Sequence, residues 1–292
     1  MLHTIENEHL ICNITSNGAE IRSLKNKSSN EEYIWQIDNS IWGSSSPVLF
    51  PAIGKIKDDK LRYDGKEYTM PKHGIIRHNN ALSFEQQGTS KCVFNLTNSN
   101  ETLKQYPFKF SFSIVYTLFE HRLIMNYLIE NRDTKPMYFS CGGHTAYACP
   151  LNASTKLSDY VIEFPTHQEL KANTLGASGL LTHHQRDIET INGVLPLSNT
   201  LFNEDALIFT NIDYNWVRLR KKNKTKGIIV SFKNYPHLAL WSKPGADYVC
   251  IEPWLGLPDL ENESLDITQK SSYKRIDPGV QFSIAIETEI EL

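Results

Sequence analysis

An all-β fold, largely antiparallel and with residues 1–292 forming one domain, is what this sequence predicts. Three observations carry that expectation. Apolar residues recur with a period of two, short turn signals separate the alternating runs, and no long stretch keeps the period near 3.6 that helices between parallel strands would need.

The elements follow in chain order. Asn17-Gly18 separates two apolar segments, and Asp64-Gly65 sits between Leu61-Arg62-Tyr63 and Glu67-Tyr68-Thr69; both read as hairpin turns. From Phe108 to Leu118 the residues Phe108, Phe110, Phe112, Ile114, Tyr116 and Leu118 share one face, with Lys109, Ser111, Ser113 and Thr117 on the other. After the polar break Glu120-His121-Arg122, a second strand carries Leu123, Met125, Tyr127 and Ile129 on one side and ends near Asn131 and Asp133. The stretch from Pro165 to Asn203, with Gly176, Gly179, Gly193 and Pro196, is too long for an ordinary connection and is expected to hold strands of its own. Lys222-Asn223-Lys224 divides Val217–Arg220 from Ile228–Phe232. The end of the chain alternates through Val280, Phe282, Ile284, Ile286, Thr288 and Ile290, as a strand that closes the sheet would. No Pro/Ser/Gly-rich linker marks a domain boundary.

Composition narrows the function. The 292 residues are 40% apolar and 22% charged, ordinary for a globular chain, and 30 Lys plus Arg stand against 33 Asp plus Glu. That balance lacks the basic footprint of a nucleic-acid binder. No run approaches the ~18 apolar residues of a membrane span, and Met1–Leu10 lacks the apolar core of a signal peptide. A cytoplasmic protein acting on a small molecule is expected, with neither nucleic acid nor membrane as partner. Cys12, Cys92, Cys141, Cys149 and Cys250 form no CxxC pair, so buried reduced thiols are expected and no metal site.

Three segments hold the candidate chemistry. In Cys141-Gly142-Gly143-His144, paired glycines at a strand end allow close backbone approach and unusual φ values, and place His144 at a rim. A turn with a satisfied histidine would produce the same local pattern. In Tyr248-Val249-Cys250-Ile251-Glu252-Pro253-Trp254, alternation puts Tyr248, Cys250 and Glu252 on one face, and Pro253 is expected to end the ladder. Partial desolvation there would strengthen Glu252 as a base, and Trp254 offers an aromatic surface of the kind sugars stack on. A surface carboxylate is the plainer alternative. The third segment runs from Phe50-Pro51-Ala52-Ile53-Gly54-Lys55 to Pro71-Lys72-His73-Gly74-Ile75-Ile76-Arg77, where Lys55, His73 and Arg77 supply donors for hydroxyls or an anion.

Together these segments resemble the aldose 1-epimerase family, in its branch of LacX-like proteins and hexose-6-phosphate mutarotases. The marks are Phe-Pro-x-x-Gly-Lys at Phe50, His-Gly-x-x-Arg at His73, Gly-Gly-His at Gly142, Asp-Ala-Leu-Ile-Phe at Asp205 and Glu-Pro-Trp at Glu252, in the family's order. The resemblance implies a β-supersandwich with the sugar on its concave face, His144 as acid at the ring oxygen, Glu252 as base at the anomeric hydroxyl, and His73 and Asp205 as hydroxyl binders. Lys55 stands where the family often has arginine, and Ile75-Ile76 replaces a more usual Phe-Ala; Arg77 matches.

The reaction implied is interconversion of the α and β anomers of a hexose or hexose phosphate by ring opening, with no cofactor. It would show a bell-shaped pH profile, Glu252 ionised on the acid side and His144 deprotonated on the alkaline side. Lys55, Lys57, Arg77 and Lys243 are candidates for holding a phosphate. A non-catalytic sugar-binding or regulatory protein on the same fold is the main alternative. A glycoside-cleaving enzyme using Asp205 and Glu252, a Cys141/His144 nucleophile pair, and a zinc site from Cys141, His144 and Cys149 or from His183-His184 are weaker ones. The oligomeric state is not legible.

Overall fold

The computed structural model describes residues 1–152, 154–166 and 168–291. Its alternating segments form two large sheets. One has nine strands in the order Val194–Pro196, Tyr160–Glu163, Trp216–Lys221, Gly227–Ser231, Gln281–Ile290, Arg122–Asn131, Phe110–Phe119, Lys91–Thr97 and Ser83–Gln86. The other has eight: Leu181–Ile188, Leu170–Leu175, Leu207–Thr210, His237–Trp241, Tyr248–Trp254, Gly142–Gly143 and Val48–Leu49 in order, with Thr145–Ala148 also paired to Tyr248–Trp254. Strand pairing in both is antiparallel. Among the described residues α-helix is confined to Asn100–Leu103.

The period of two sorts side chains as expected. Phe110, Phe112, Ile114, Tyr116 and Leu118 are buried along one strand, and Leu123, Met125, Tyr127 and Ile129 along its hairpin partner. The hairpins at Asn17-Gly18, Asp64-Gly65 and Lys222–Lys224 are present, the second with φ of 50° and 71° at Asp64 and Gly65, the two positive values of a type I′ turn. The stretch 165–203 contributes Leu170–Leu175, Leu181–Ile188 and Val194–Pro196. Gln281–Ile290 closes the nine-stranded sheet from its middle, pairing with Gly227–Ser231 on one side and Arg122–Asn131 on the other, and so joins two halves.

A hydrophobic cluster running from Ile5 to Ile290 fills the space between the large sheets. The face a residue takes decides its role. On Tyr248–Trp254, Val249 and Ile251 belong to that cluster, whereas Cys250 and Trp254 fall into separate clusters on the opposite face. Tyr147 Oη and Thr288 Oγ1, 2.6 Å apart, tie the two sheets together through their buried faces. All five cysteines are buried and free.

One loop beside the opposite face is fixed by a buried ion pair between Lys270 and Asp259, whose side chains are each 1% exposed. Asp259 Oδ2 also accepts from the Lys57 N–H at 2.9 Å, while the Asp259 backbone donates to the Lys55 carbonyl at 3.1 Å and accepts from Leu181 N–H at 2.8 Å. Removing one partner of such a pair leaves an uncompensated buried charge, which costs about 3–5 kcal/mol, whereas replacing both by apolar groups is far cheaper. Urea unfolding is therefore expected to show a loss of that size for Lys270→Met. Lys270→Met combined with Asp259→Leu is expected to recover most of it.

Candidate active site

Gly142 and Gly143 bring the site together by close approach, not by special φ. A Cβ on Gly142 would lie 2.5 Å from the Pro253 carbonyl oxygen and 3.0 Å from Trp254 Cδ1, and one on Gly143 would lie 2.8 Å from Ile286 Cδ1. Neither glycine has a positive φ, which corrects half of the reason expected for them. With no side chains between them, the Gly142–Gly143 strand pairs directly with Trp254, and His144 follows at once. Its N–H donates to the Pro47 carbonyl at 3.1 Å. The 44–47 loop is held in turn by the buried Glu20 carboxylate, which accepts from the Ser46 N–H at 2.9 Å and pairs with Arg22 at 3.1 Å.

His144 Nε2 then lies 3.3 Å from Glu252 Oε2. His144 is 8% exposed, so it forms an inner wall and not the rim that the sequence suggests, and Glu252 is 1% exposed. Nor does Pro253 end the ladder. The strand continues to Trp254, opposite His237, because a single missing N–H is tolerated where both neighbouring strands still hold the chain.

Both groups line a cavity of about 460 Å³, together with Lys55, His73, Arg77, Asp205 and Trp254. Every residue singled out from the sequence as catalytic or sugar-binding thus meets the same space. His73 Nδ1 accepts from the Gly54 N–H at 3.2 Å, leaving Nε2 as the N–H of a neutral ring, and its ring centroid lies 5.4 Å from that of His144. His73 (φ 70°) and Asp205 (φ 71°) both take left-handed backbone conformations, which cost energy and cluster at binding sites. The turn at His73 needs Gly74: a Cβ there would lie 2.1 Å from the Phe50 carbonyl oxygen. Lys57 and Lys243 do not line the cavity, and Lys243 Nζ instead donates to the Ile41 carbonyl at 2.7 Å.

Sequence reasoning missed Trp42, Lys72, Phe202, Asn203 and Trp241. Trp42 lies 5.2 Å from the His144 ring and 5.4 Å from Trp241, a partly aromatic wall. It sits in a tight turn around 38–42, where no alternation marks it. Lys72 had a signal, its place beside His73.

The electrostatics run against two charged groups. Burial pushes the Glu252 carboxyl well above the usual carboxylate range; the Lys72 ammonium and the Trp254 indole pull it back, and Asp205 adds to the rise. Burial likewise pushes the His144 imidazole below its ordinary value, helped by the Arg77 and Lys72 charges. Both shifts favour the neutral forms, a protonated carboxyl beside a neutral imidazole. This reverses the protonation expected from the sequence, because both groups lose more hydration than a strand end implies.

A sequence profile of the aldose 1-epimerase family matches residues 1–260. The chain belongs to the aldose 1-epimerase family. As an aldose 1-epimerase family member it is an isomerase of the sugar-epimerase type, and related sequences and folds agree. It is 29% identical over 283 residues to protein LacX of Lactococcus lactis subsp. lactis, covering 94% of each chain. The structure superposes with a TM-score of 0.94 on a galactose mutarotase related enzyme from Lactobacillus acidophilus, at 30% identity and covering 100% and 98% of the two chains. A galactose mutarotase-like protein from Lactobacillus casei gives 0.92 at 29% identity, with both chains fully covered. One from Clostridium acetobutylicum, at 19% identity and a TM-score of 0.74 over 100% and 98% of the chains, shares the fold.

The buried carboxyl of this epimerase makes stability depend on pH in a defined direction. Above pH ~4.3 the unfolded chain releases the Glu252 proton while the folded chain keeps it, so the Glu252 contribution to stability falls as pH rises from there toward the raised folded pKa. Glutamine has no such proton. Thermal unfolding from pH 4 to 8 is expected to show Glu252→Gln gaining steadily on wild type as pH rises.

Proposed function

We propose that this protein is a mutarotase that interconverts the α and β anomers of a hexose, with Glu252 and His144 as its proton-transfer pair. The observation that carries the reading is their 3.3 Å contact inside the cavity. In the ionic form of the pair, the Glu252 carboxylate takes the C1 hydroxyl proton while the His144 imidazolium gives one to the ring oxygen. The hemiacetal C–O bond breaks and an open-chain aldehyde results. The pair is then left as carboxyl and neutral imidazole, the form that burial favours. After rotation about C1–C2 the carboxyl returns its proton to the aldehyde oxygen, the imidazole takes the C5 hydroxyl proton, and the ring closes on either face. No net proton is lost, so the pair is ready for another turnover without a cofactor. His73 Nε2–H and Asp205 supply a donor and an acceptor for sugar hydroxyls. The Trp254 ring gives the sugar an apolar face to lie on.

The favoured substrate in this reading carries an anionic group, a hexose phosphate. Lys55, Lys72 and Arg77 border the cavity, none of them forms an ion pair among the described residues, and Arg77 Nε is buried without a hydrogen-bond partner. Three free cations facing one carboxylate, Asp205, and a protonated Glu252 leave the cavity positive. The chain works as one domain in this reading, since one hydrophobic cluster spans it, and a cytoplasmic location suits its free thiols.

NMR exchange spectroscopy of glucose, galactose and their 6-phosphates tests the proposal. Wild type is expected to accelerate anomer exchange, and Glu252→Gln and His144→Asn each to reduce it roughly 10²–10⁴-fold. Failure to accelerate any sugar would leave sugar binding as the function. The pH profile is expected to be bell-shaped with its limbs assigned by the burial shifts. Activity falls on the acid side as the pair takes a second proton, below the usual histidine value of ~6.5, and on the alkaline side as it loses its last, above the usual ~4.3 of a glutamate. For a phosphate-bearing substrate, Arg77→Ala and Lys55→Ala are each expected to raise KM about tenfold or more while leaving the unphosphorylated sugar little changed. Equal effects on both sugars would remove the phosphate assignment.

A further inference from the structure

Next to the pair stands a group for which sugar chemistry has no use. Cys250 lies two residues before Glu252 on the same strand, so both side chains leave the same face of the sheet. Its thiol sulfur, a ring nitrogen of His144 and a carboxylate oxygen of Glu252 all lie within 4.8 Å of one another. Cys250 is fully buried and unbridged, and it does not border the cavity as the other two do. Glu252 Oε2 is buried without a hydrogen-bond partner, and so is His144 Nδ1. Buried polar atoms of this kind call for a ligand.

A nitrogen, a thiol sulfur and a carboxylate oxygen form a donor set suited to zinc and its thiophilic neighbours, with bonds of ~2.0–2.3 Å. The three donors lie within 4.8 Å of one another, so modest closing brings them round one ion. We propose that His144, Cys250 and Glu252 form a three-ligand site for a thiophilic divalent cation, Zn²⁺ or Cd²⁺, whose fourth position faces the cavity, and that loading this site blocks the proton-transfer pair. Charge balance favours it. In the loaded site a dication meets a thiolate, a carboxylate and a neutral imidazole, so the buried cluster is neutral overall.

The ion-binding half of the proposal stands by itself, and the inhibitory half rests on the mutarotase reading. Cd²⁺ alone is the probe. Titration of the whole chain is expected to give thiolate-to-cadmium charge-transfer absorption saturating at one equivalent, together with loss of anomer exchange over the same concentration range. Cys250→Ser is expected to keep exchange activity, to lose the absorption, and to need roughly a hundredfold more Cd²⁺ for inhibition. Glu252→Gln, which keeps the thiol and has no buried proton to lose, is expected to weaken the absorption titration comparably, and it serves as the second variant if Cys250→Ser does not fold. Absorption and inhibition unchanged in Cys250→Ser, or no thiolate absorption in wild type, would overturn the site. A protein that shows the absorption but no exchange activity would retain the site and lose the mutarotase reading.

Discussion

Two strands of the smaller large sheet touch where glycine alone fits. With a Cβ on Gly142 lying 2.5 Å from the Pro253 carbonyl oxygen, any side chain there would push the His144 segment away from Tyr248–Trp254. The contact lets an imidazole and a carboxyl from neighbouring segments meet at 3.3 Å under full burial. Burial in turn fixes their protonation, since neither charge has water to hold it and one proton is enough for both. From that follow the acid and base limbs of the pH profile, the pH dependence of stability, and the readiness of the cluster to take up a metal ion.

The rest of the structure holds this arrangement against its cost. Two cavity residues, His73 and Asp205, are kept in left-handed conformations that cost energy for any residue with a Cβ. His73 is held by Gly74 and by hydrogen bonds in both directions with Gly54, and Asp205 by its own carboxylate, which accepts from the Ala206 N–H at 2.8 Å. The buried Lys270–Asp259 pair fastens the chain that carries Lys55, and Glu20 fastens the loop on which the His144 backbone rests. The Lys270–Asp259 pair and Glu20 are polar and buried, which serves geometry more than stability.

Most of this was legible in the sequence because it rests on periodicity. Alternation located the central hairpin of Phe110–Phe119 and Arg122–Asn131, and it put Cys250 and Glu252 on one face. The order of short motifs gathered Lys55, His73, Arg77, His144, Asp205, Glu252 and Trp254 before any of them could be seen to share a cavity. What was not legible depends on distance across the fold. Trp42 reaches His144 from a turn without a pattern, and the placing of Gln281–Ile290 inside its sheet depends on which strands find it. The burial of the pair is not legible for a related reason. A strand end looks half-hydrated in sequence, whereas Glu252 is 1% exposed in the fold.

The chemistry of the site turns on where one proton resides. Infrared difference spectroscopy between wild type and Glu252→Gln at pH 7, without sugar or metal, reads it directly. The account predicts the carbonyl stretch of a protonated carboxylic acid in wild type that is missing from the variant. Carboxylate bands alone for Glu252 at that pH would contradict it, and would return the resting site to an ion pair.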